Sequence, residues 1–452
     1  MILKKEKNRW RMTRFSPPQV LSIGFLILTL IGAILLMLPI SKHPGVKLTF
    51  LDALFEATSA VCVTGLVVTD TATTFTAFGE SVLMILIQVG GLGFMTLGIL
   101  VAMLLGKKIG LSERLLAQNA LNQFNLSGIV KLVKIVVIGT LIFEGIGALL
   151  LAVVWGQEMS WGKALYYGIF HSISSFNNAG FDLMGNYSSM TAYVGNLPIN
   201  LILSCLYILG GLGFTVIMDV VQKRNYRKWS LNTKTVIWVT LILNVTASLL
   251  IFLLEYSNPS TIDSFSLKDK IISSYFHGTV PRTAGFNTLD LTQLNSDSIL
   301  LTMGLMFIGG ASGSTAGGVK VTTFFLLILV VWTFVKQRED ITFLKRRIPQ
   351  DLVFRALAIS LMGIVLVFTA TFLLDITEKG IPLMNLAFEA VSAFGTVGLS
   401  LGVTPELSAI GKIIIMVLMF IGRLGPITIA LALTKELQKN KIRYPEEKIL
   451  IG

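Results

Sequence analysis

Long apolar runs alternate with short polar stretches along the whole 452-residue chain. Eight of the runs reach the ~20 residues that a helix needs to cross a hydrocarbon core. They fall at approximately residues 19–38, 82–105, 132–155, 197–221, 236–254, 299–336, 356–374 and 410–433. The first has no small-residue cleavage site and continues into Pro39 and Ile40, so it reads as a span and not as a leader. The sixth is anomalous. As one helix it would extend ~57 Å against a ~30 Å core, and it contains Gly309, Gly310, Ala311, Ser312, Gly313, Ser314, Thr315, Ala316, Gly317 and Gly318 in succession. That run predicts a broken helix at mid-membrane, where non-helical backbone survives only against protein or in a wet cavity.

Four further segments, residues 50–61, 163–174, 267–279 and 382–393, are too apolar for loops and too short to span. Their length suits re-entrant helices. Each leads to a glycine: Gly65, Gly180, Gly285 and Gly398. Aligned there, the chain reads SAVCVTGL, SSFNNAGF, TVPRTAGF and SAFGTVGL. A small hydroxyl stands six residues earlier each time (Ser59, Ser174, Thr279, Ser392), and an aromatic ten earlier (Phe55, Phe170, Tyr275, Phe388). A second cluster follows within the next span: Gly90–Gly93, Gly210–Gly213, Gly309–Gly313, and Gly422, Arg423, Leu424, Gly425. Helix packing on small residues would account for that second cluster, but not for the glycine after each short segment. The chain is therefore expected to be an all-α membrane protein of four span–re-entrant–span repeats: residues 1–106, 107–222, 223–337 with its broken last span, and 338–452 with a terminal tail.

Composition agrees with this reading and narrows it. Hydrophobic residues make up 53% and charged residues 14% of the chain, against roughly 25% charged in an ordinary soluble domain. A soluble enzyme, a nucleic-acid-binding domain and a disordered chain are excluded. The net charge of +12 resolves into topology. Of the 37 basic residues, 27 fall in the N-terminal tail, the even-to-odd connections and the C-terminal tail. Those segments should be cytoplasmic, which leaves an acidic outer face for an approaching cation. Cys62 and Cys205 form no disulfide framework, and no His, Cys or acid cluster has metal-site spacing.

A re-entrant helix entering from outside aims its partly negative C-terminal end at the membrane centre. Four around one axis would focus negative potential there, and the chain climbing back out could offer carbonyls in place of a cation's hydration shell. Few carboxylates occur at the turns, which favours a monovalent ion. The repeat, the SAVCVTGL and PRTAGF turns and the GGASGSTAGGVK run together resemble the Trk/Ktr/HKT superfamily of potassium transporters, most closely the bacterial Ktr membrane subunit. The resemblance covers about residues 17–435. It implies a pseudo-fourfold pore in a cell membrane, with both termini cytoplasmic and no covalently bound cofactor. It implies potassium uptake, with sodium as an activating ion, by a homodimer seated on a ring of RCK-type nucleotide-binding subunits. It carries a selectivity filter onto Val63, Thr64, Gly65, Asn178, Ala179, Gly180, Thr283, Ala284, Gly285, Thr396, Val397 and Gly398, with potassium at the backbone carbonyls. A serine at the first turn marks sodium-conducting plant relatives, and this chain has Gly65. The four turns differ from one another and from TVGYG, so selectivity should be less strict than in a potassium channel.

Several residues admit competing readings. Arg423 lies too deep for easy snorkelling; it is either a fixed charge beside the pore, as in the family's gate, or an ion-paired or carbonyl-bonded anchor. Residues Gly309 to Gly318 read as a loop gating the pore beneath the filter, which Lys320 either holds or leaves by snorkelling inward. Ser312 in its Gly-Ala-Ser-Gly setting suggests an intramembrane serine protease, but His43, His171 and His277, the chain's three histidines, fall on the predicted outer side, away from it. The GxxxxGK[ST] phosphate-loop spacing is not met. Glu144 is either a functional intramembrane acid or a paired packing residue. His171 and His277 read as structural.

Overall fold

The computed structural model describes residues 16–93, 96, 98–100, 129–433, 445 and 447. The N-terminal tail, the basic connection at 107–114 and most of the C-terminal tail, which carry much of the orienting charge, lie outside the described residues. The first repeat comprises α1 (Pro17–Met37), the short α2 (Phe50–Cys62) and α3 (Ala77–Leu92). The second comprises α4 (Ile129–Trp155), the short α5 (Trp161–Phe176), α6 (Leu197–Leu212) and α7 (Phe214–Gln222). The third comprises α8 (Leu231–Glu255), the short α9 (Leu267–Thr279), α10 (Ser296–Phe307) and α11 (Val321–Val335). A small hairpin, β1 (Thr342–Phe343) with β2 (Arg346–Arg347), leads to the fourth: α12 (Gln350–Thr377), the short α13 (Leu383–Gly395), α14 (Ala409–Leu424) and α15 (Pro426–Leu433). All four predicted short helices are present.

The spans differ from the expectation in one systematic way. Sequence predicts a single interrupted span, the sixth. In the structure the first long helix of every repeat is unbroken, while the second stops within its glycine cluster in repeats one, two and four and ends at Phe307, just before its cluster, in repeat three. Span 82–105 stops at Gly93, span 197–221 bends by 93° at Gly213, and span 410–433 bends by 98° at Gly425. Gly93, Gly213 and Gly425 have φ of 79°, 88° and 88°, a region closed to most residues with a β-carbon. Hydropathy misses these breaks because both halves of each helix stay apolar.

The leading glycines of three clusters have a different task. A Cβ at Gly90, Gly210 or Gly422 would run into the carbonyl oxygen of Val61, Phe176 or Phe394 respectively. Each of those carbonyls lies four residues before a turn glycine, so the spans pack directly on the ends of the short helices. In the third repeat α10 ends before its cluster, and Gly309 packs instead on the Gly317 carbonyl of the following loop.

The repeats close into a ring. The last span of each repeat packs on the short helix of the next: α3 on α5, α6 on α9, α10 on α13, and α14 back on α2. The closing contact carries an ion pair, Lys412 Nζ to Asp52 Oδ1 at 2.7 Å, and Asp52 also belongs to the capping box that starts α2 on Thr49. The long helices expose apolar side chains on their outer surface, among them Leu149 (62%), Leu253 (61%) and Phe368 (72%), as a lipid-facing surface requires.

The two kinds of glycine predict different sensitivities. Gly425→Ala meets only Thr428 Oγ1, at an ordinary 3.9 Å, and costs about 2 kcal/mol through backbone strain alone. Gly422→Ala must displace the Phe394 carbonyl and should cost about 3 kcal/mol, the upper range for overpacking. Thermal melting of the two variants in detergent checks the ranking.

Candidate functional site

The four glycine turns meet. A Cβ on Gly65 would overlap the Ala179 carbonyl and lie 3.2 Å from Gly180 Cα; one on Gly180 would lie 2.8 Å from Gly285 Cα and 3.0 Å from the Ala284 oxygen. One on Gly285 would lie 2.5 Å from the Val397 oxygen, and one on Gly398 would overlap the Thr64 carbonyl, 3.0 Å from Gly65 Cα. Each glycine thus faces the carbonyl preceding the glycine of a neighbouring turn, in the order one, two, three, four and back to one. The phases are 88°, 72°, 78° and 92° in φ. No side chain fits at any of the four positions.

Sequence reasoning overlooked a second constraint. Two residues before each glycine, Val63, Asn178, Thr283 and Thr396 also take positive φ, of 56°, 60°, 77° and 51°. Three of these are β-branched, for which the left-handed region is a genuine outlier. Strain held this regularly in four places is a mark of a functional site. Nothing in the residue types announces it.

Three of the short helices grip their turns through the predicted hydroxyls, while the fourth hydroxyl, Thr279, bonds α6 instead. Ser59 Oγ accepts from Gly65 N at 3.0 Å and Ser392 Oγ from Gly398 N at 3.2 Å. Ser174 Oγ donates to the Phe181 carbonyl at 2.6 Å, and Thr279 Oγ1 pairs with Tyr207 OH at 2.5 Å. A further set sits nine residues before the glycine. Glu56 Oε1 accepts from Val68 N (2.8 Å) and Thr69 N (3.1 Å); His171 Nε2 meets Leu183 N (3.2 Å); Glu389 accepts from the hydroxyls of Ser400 and Thr404. These side chains strap down the chain leaving each turn. In the third repeat that position is Phe276, and the outgoing chain is held by the second repeat, through Ser189 Oγ to Asn287 N and Asn287 O to Met190 N. His171 is therefore a positioning residue and not only a packing one. Beside these segments, burial and the neighbouring Asp70 push the Asp182 carboxyl up to about 6.

Two turns are tied sideways to their preceding span. Asn177 Nδ2 donates to Glu144 Oε1 (2.8 Å), and Gln88 Nε2 donates to Glu144 Oε2 (3.0 Å). Glu144 is thus the paired residue of the two alternatives, and what it pairs with is a turn. Arg282 Nη1 donates to Asn244 Oδ1 (2.8 Å) in the same manner.

The run Gly309 to Gly318 forms the expected loop directly against these turns. Thr315 Oγ1 donates to Asn178 Oδ1 at 2.8 Å, and Gly317 packs on the Thr396 side chain. The loop is more firmly held than its small residues suggest. Ala311 N donates to Gly211 O (2.8 Å), Phe214 N to Gly313 O (3.1 Å), Gly309 N to Val319 O (2.8 Å) and Val321 N to Gly310 O (3.0 Å). Lys320 holds it as well, donating to Ala316 O (2.7 Å) and Gly317 O (3.2 Å). Arg423 makes no ion pair among the described residues. It donates to the carbonyls of Thr315, Gly90 and Gly91, clamping the loop to the first repeat. Ser312 has no histidine partner: His171 bonds Tyr167 O and Leu183 N, and His277 bonds Thr302.

Removing the acceptor from a buried backbone bond leaves its N–H donor unsatisfied, at ~1–3 kcal/mol. Glu56→Ala should therefore speed amide exchange at Val68 and Thr69 about tenfold or more, while Glu56→Gln, which keeps an acceptor oxygen, should do so less. Hydrogen-exchange mass spectrometry of this segment reads the difference.

The comparisons with known proteins bear on the same architecture. Residues 4–444 match the TrkH family of cation transport proteins. The chain is 47% identical over 453 residues to "Ktr system potassium uptake protein B" of Bacillus subtilis, covering all of both chains. It is 39% identical over 456 residues to "Potassium/sodium uptake protein NtpJ" of Enterococcus hirae, again covering all of both. The crystal structure of the potassium transporter TrkH from Vibrio parahaemolyticus shares its fold, with a TM-score of 0.73 at 21% identity over 94% of this chain and 86% of that one. A ring of four strained glycine turns, a loop beneath it and this extent of similarity have one reading: the chain belongs to the TrkH/Ktr family of cation transport proteins and is a transporter, not an enzyme.

Proposed function

We propose that the chain mediates potassium uptake across a bacterial cell membrane, with the ring of turns as its selectivity filter. The observation that carries this is the cyclic contact of Gly65, Gly180, Gly285 and Gly398 with the carbonyls of Ala179, Ala284, Val397 and Thr64. Carbonyls fixed around one axis replace water around a dehydrated monovalent cation. The filter comprises Val63 to Gly65, Asn178 to Gly180, Thr283 to Gly285 and Thr396 to Gly398. The short helices enter from the outer face, so both termini are cytoplasmic, in line with the basic tails. The four repeats follow the boundaries 1–106, 107–222, 223–337 and 338–452.

Gly309 to Gly318, with Lys320 and Arg423, act as the gate. The loop touches the filter turns through Thr315 and Gly317, and its tethers are mostly single backbone bonds, each worth ~0.5–1.5 kcal/mol net. Opening requires exchanging a few of them for water. Sodium activates transport, and the active unit is a homodimer on a cytoplasmic ring of RCK-type subunits. The Bacillus subtilis relative bears the name of a system, in keeping with a multi-component assembly. A sodium-conducting pore is the second reading, favoured by the potassium/sodium name of the Enterococcus hirae relative; glycine at all four filter positions favours potassium.

Gly65→Ser places a β-carbon against the Ala179 carbonyl and should reduce potassium preference over sodium about tenfold, the equivalent of ~1.4 kcal/mol. Uptake of potassium, rubidium, sodium and lithium in proteoliposomes measures it, and unchanged preference removes the filter assignment. Deleting residues 311–316 should raise flux, as should Arg423→Ala, and the two together should raise it less than additively if they act on one constriction. A folded deletion variant that conducts no faster than the parent means that the loop is not the gate. Gentle purification from the native host should bring down a nucleotide-binding cytoplasmic subunit; its absence ends the partner assignment.

A further inference from the structure

Beneath the loop lies a cavity of about 610 Å³ whose charge is of the wrong sign for a cation. Lys320, Arg355 and Arg423 line it, and no Asp or Glu does among the described residues. The half-buried pair Lys320 and Arg423 is satisfied by backbone carbonyls alone, those of Ala316 and Gly317 for Lys320 and of Thr315, Gly90 and Gly91 for Arg423. Arg355 is exposed and makes no hydrogen bond or ion pair with the described residues. Three positive charges therefore share one space with no counter-charge.

The broken spans add to this. Beyond their breaks, α7, α11 and α15 begin at the cavity wall, at Phe214, at Thr322 and Thr323, and at Ile427 and Thr428. The first turns of these half-helices carry the positive end of the helix dipole; the leading N–H groups of Phe214 and Val321 are taken by Gly313 O and Gly310 O and Pro426 has none, so the N–H groups just behind them, such as those of Thr322 and Thr323, are the ones left for a ligand, and α11 has no side-chain cap. The short helices aim their C-terminal ends at the filter; the half-helices aim their N-terminal ends at the space below it. Part of the lining is apolar, made by Leu21 and Phe25 of α1, Ile359 of α12 and Leu431 of α15. Arg355 lies in the second turn of α12, whose 28 residues exceed the ~20 that a hydrocarbon core needs.

We infer that this cavity binds a phosphate-bearing anion, and specifically the head group of an acidic phospholipid of the inner leaflet. The phosphate meets Arg355, Lys320, Arg423 and the half-helix N-termini, as phosphates meet such ends generally, and the acyl chain lies along the apolar wall. The bound head group offsets the positive field that a potassium ion leaving the filter must cross, so acidic lipid raises flux. This consequence rests on the gate reading above; the binding does not.

The two are separable by experiment. Native mass spectrometry of the purified full chain should retain phosphatidylglycerol over phosphatidylcholine. Arg355→Gln, at an exposed position with no bonds to lose, should weaken that retention about tenfold, as loss of one charge-assisted bond implies, and Arg355→Lys should restore most of it. In proteoliposomes, adding phosphatidylglycerol to phosphatidylcholine should raise potassium flux of the parent several-fold more than that of Arg355→Gln. Equal retention of both lipids, or retention indifferent to Arg355→Gln, overturns the site. Displacement of the adduct by inorganic phosphate, with flux responding to phosphate and not to lipid, overturns the lipid assignment in favour of a soluble anion. Retention that depends on Arg355 with flux indifferent to lipid overturns the regulatory role, while the loop deletion tests the gate on its own.

Discussion

Everything in this molecule answers to the need to bring four backbone turns within a few ångströms of one another, each glycine against the carbonyl of a neighbouring turn. Side chains at the closest points would prevent it, so glycine occupies all four. Carbonyls so crowded repel one another, and the turns carry backbone strain at the neighbouring Val63, Asn178, Thr283 and Thr396. Such an arrangement persists only if its surroundings over-determine it. The hydroxyl clasps of Ser59, Ser174 and Ser392, the outer straps of Glu56, His171 and Glu389, and the lateral ties from Glu144 and Arg282 serve that purpose. Most are bonds to charged or buried groups, which is where a hydrogen bond contributes most.

The helix ends divide the electrostatic work. Short helices direct negative ends at the ring, and the half-helices beyond the span breaks direct positive ends below it. The third repeat departs from the pattern, because its second span ends before the glycine cluster and gives ten residues to a loop instead of a bend. That single deviation places Thr315 and Gly317 against the glycine turns, at Asn178 and Thr396, and gives Arg423 one of its acceptors. Fourfold pseudo-symmetry builds the ring, and its breach in one quarter sets a loop against it.

Much of this was legible from residue order. The eight runs, the four short helices and the four turn glycines came from hydropathy and spacing, because a lipid solvent leaves few options for backbone. The broken sixth span was legible because glycine and serine replaced apolar residues across a whole stretch. The breaks at Gly93, Gly213 and Gly425 were not, since one glycine in an apolar helix reads equally as a packing position. The straps at Glu56, His171 and Glu389 share an offset from the turn, but acid, imidazole and acid are three different-looking residues, and Phe276 interrupts the series. Only their common act of holding the outgoing chain unites them. Arg423 was identified as interior, yet its carbonyl partners come from repeats one and three, which no local pattern connects.

The ion pair between Asp52 and Lys412 joins groups 360 residues apart, at the seam where the fourth repeat meets the first. A chain made from its N-terminus inserts three quarters of the ring before the residues that close it exist. Until α14 reaches α2, the turn at Gly65 has a neighbour on one side only, and its carbonyl edge faces an open seam. Contacts of such separation form late and slowly. The ring of turns is thus also the last part of the protein to be assembled, and a truncated product ending before residue 412 is a ring with a missing side.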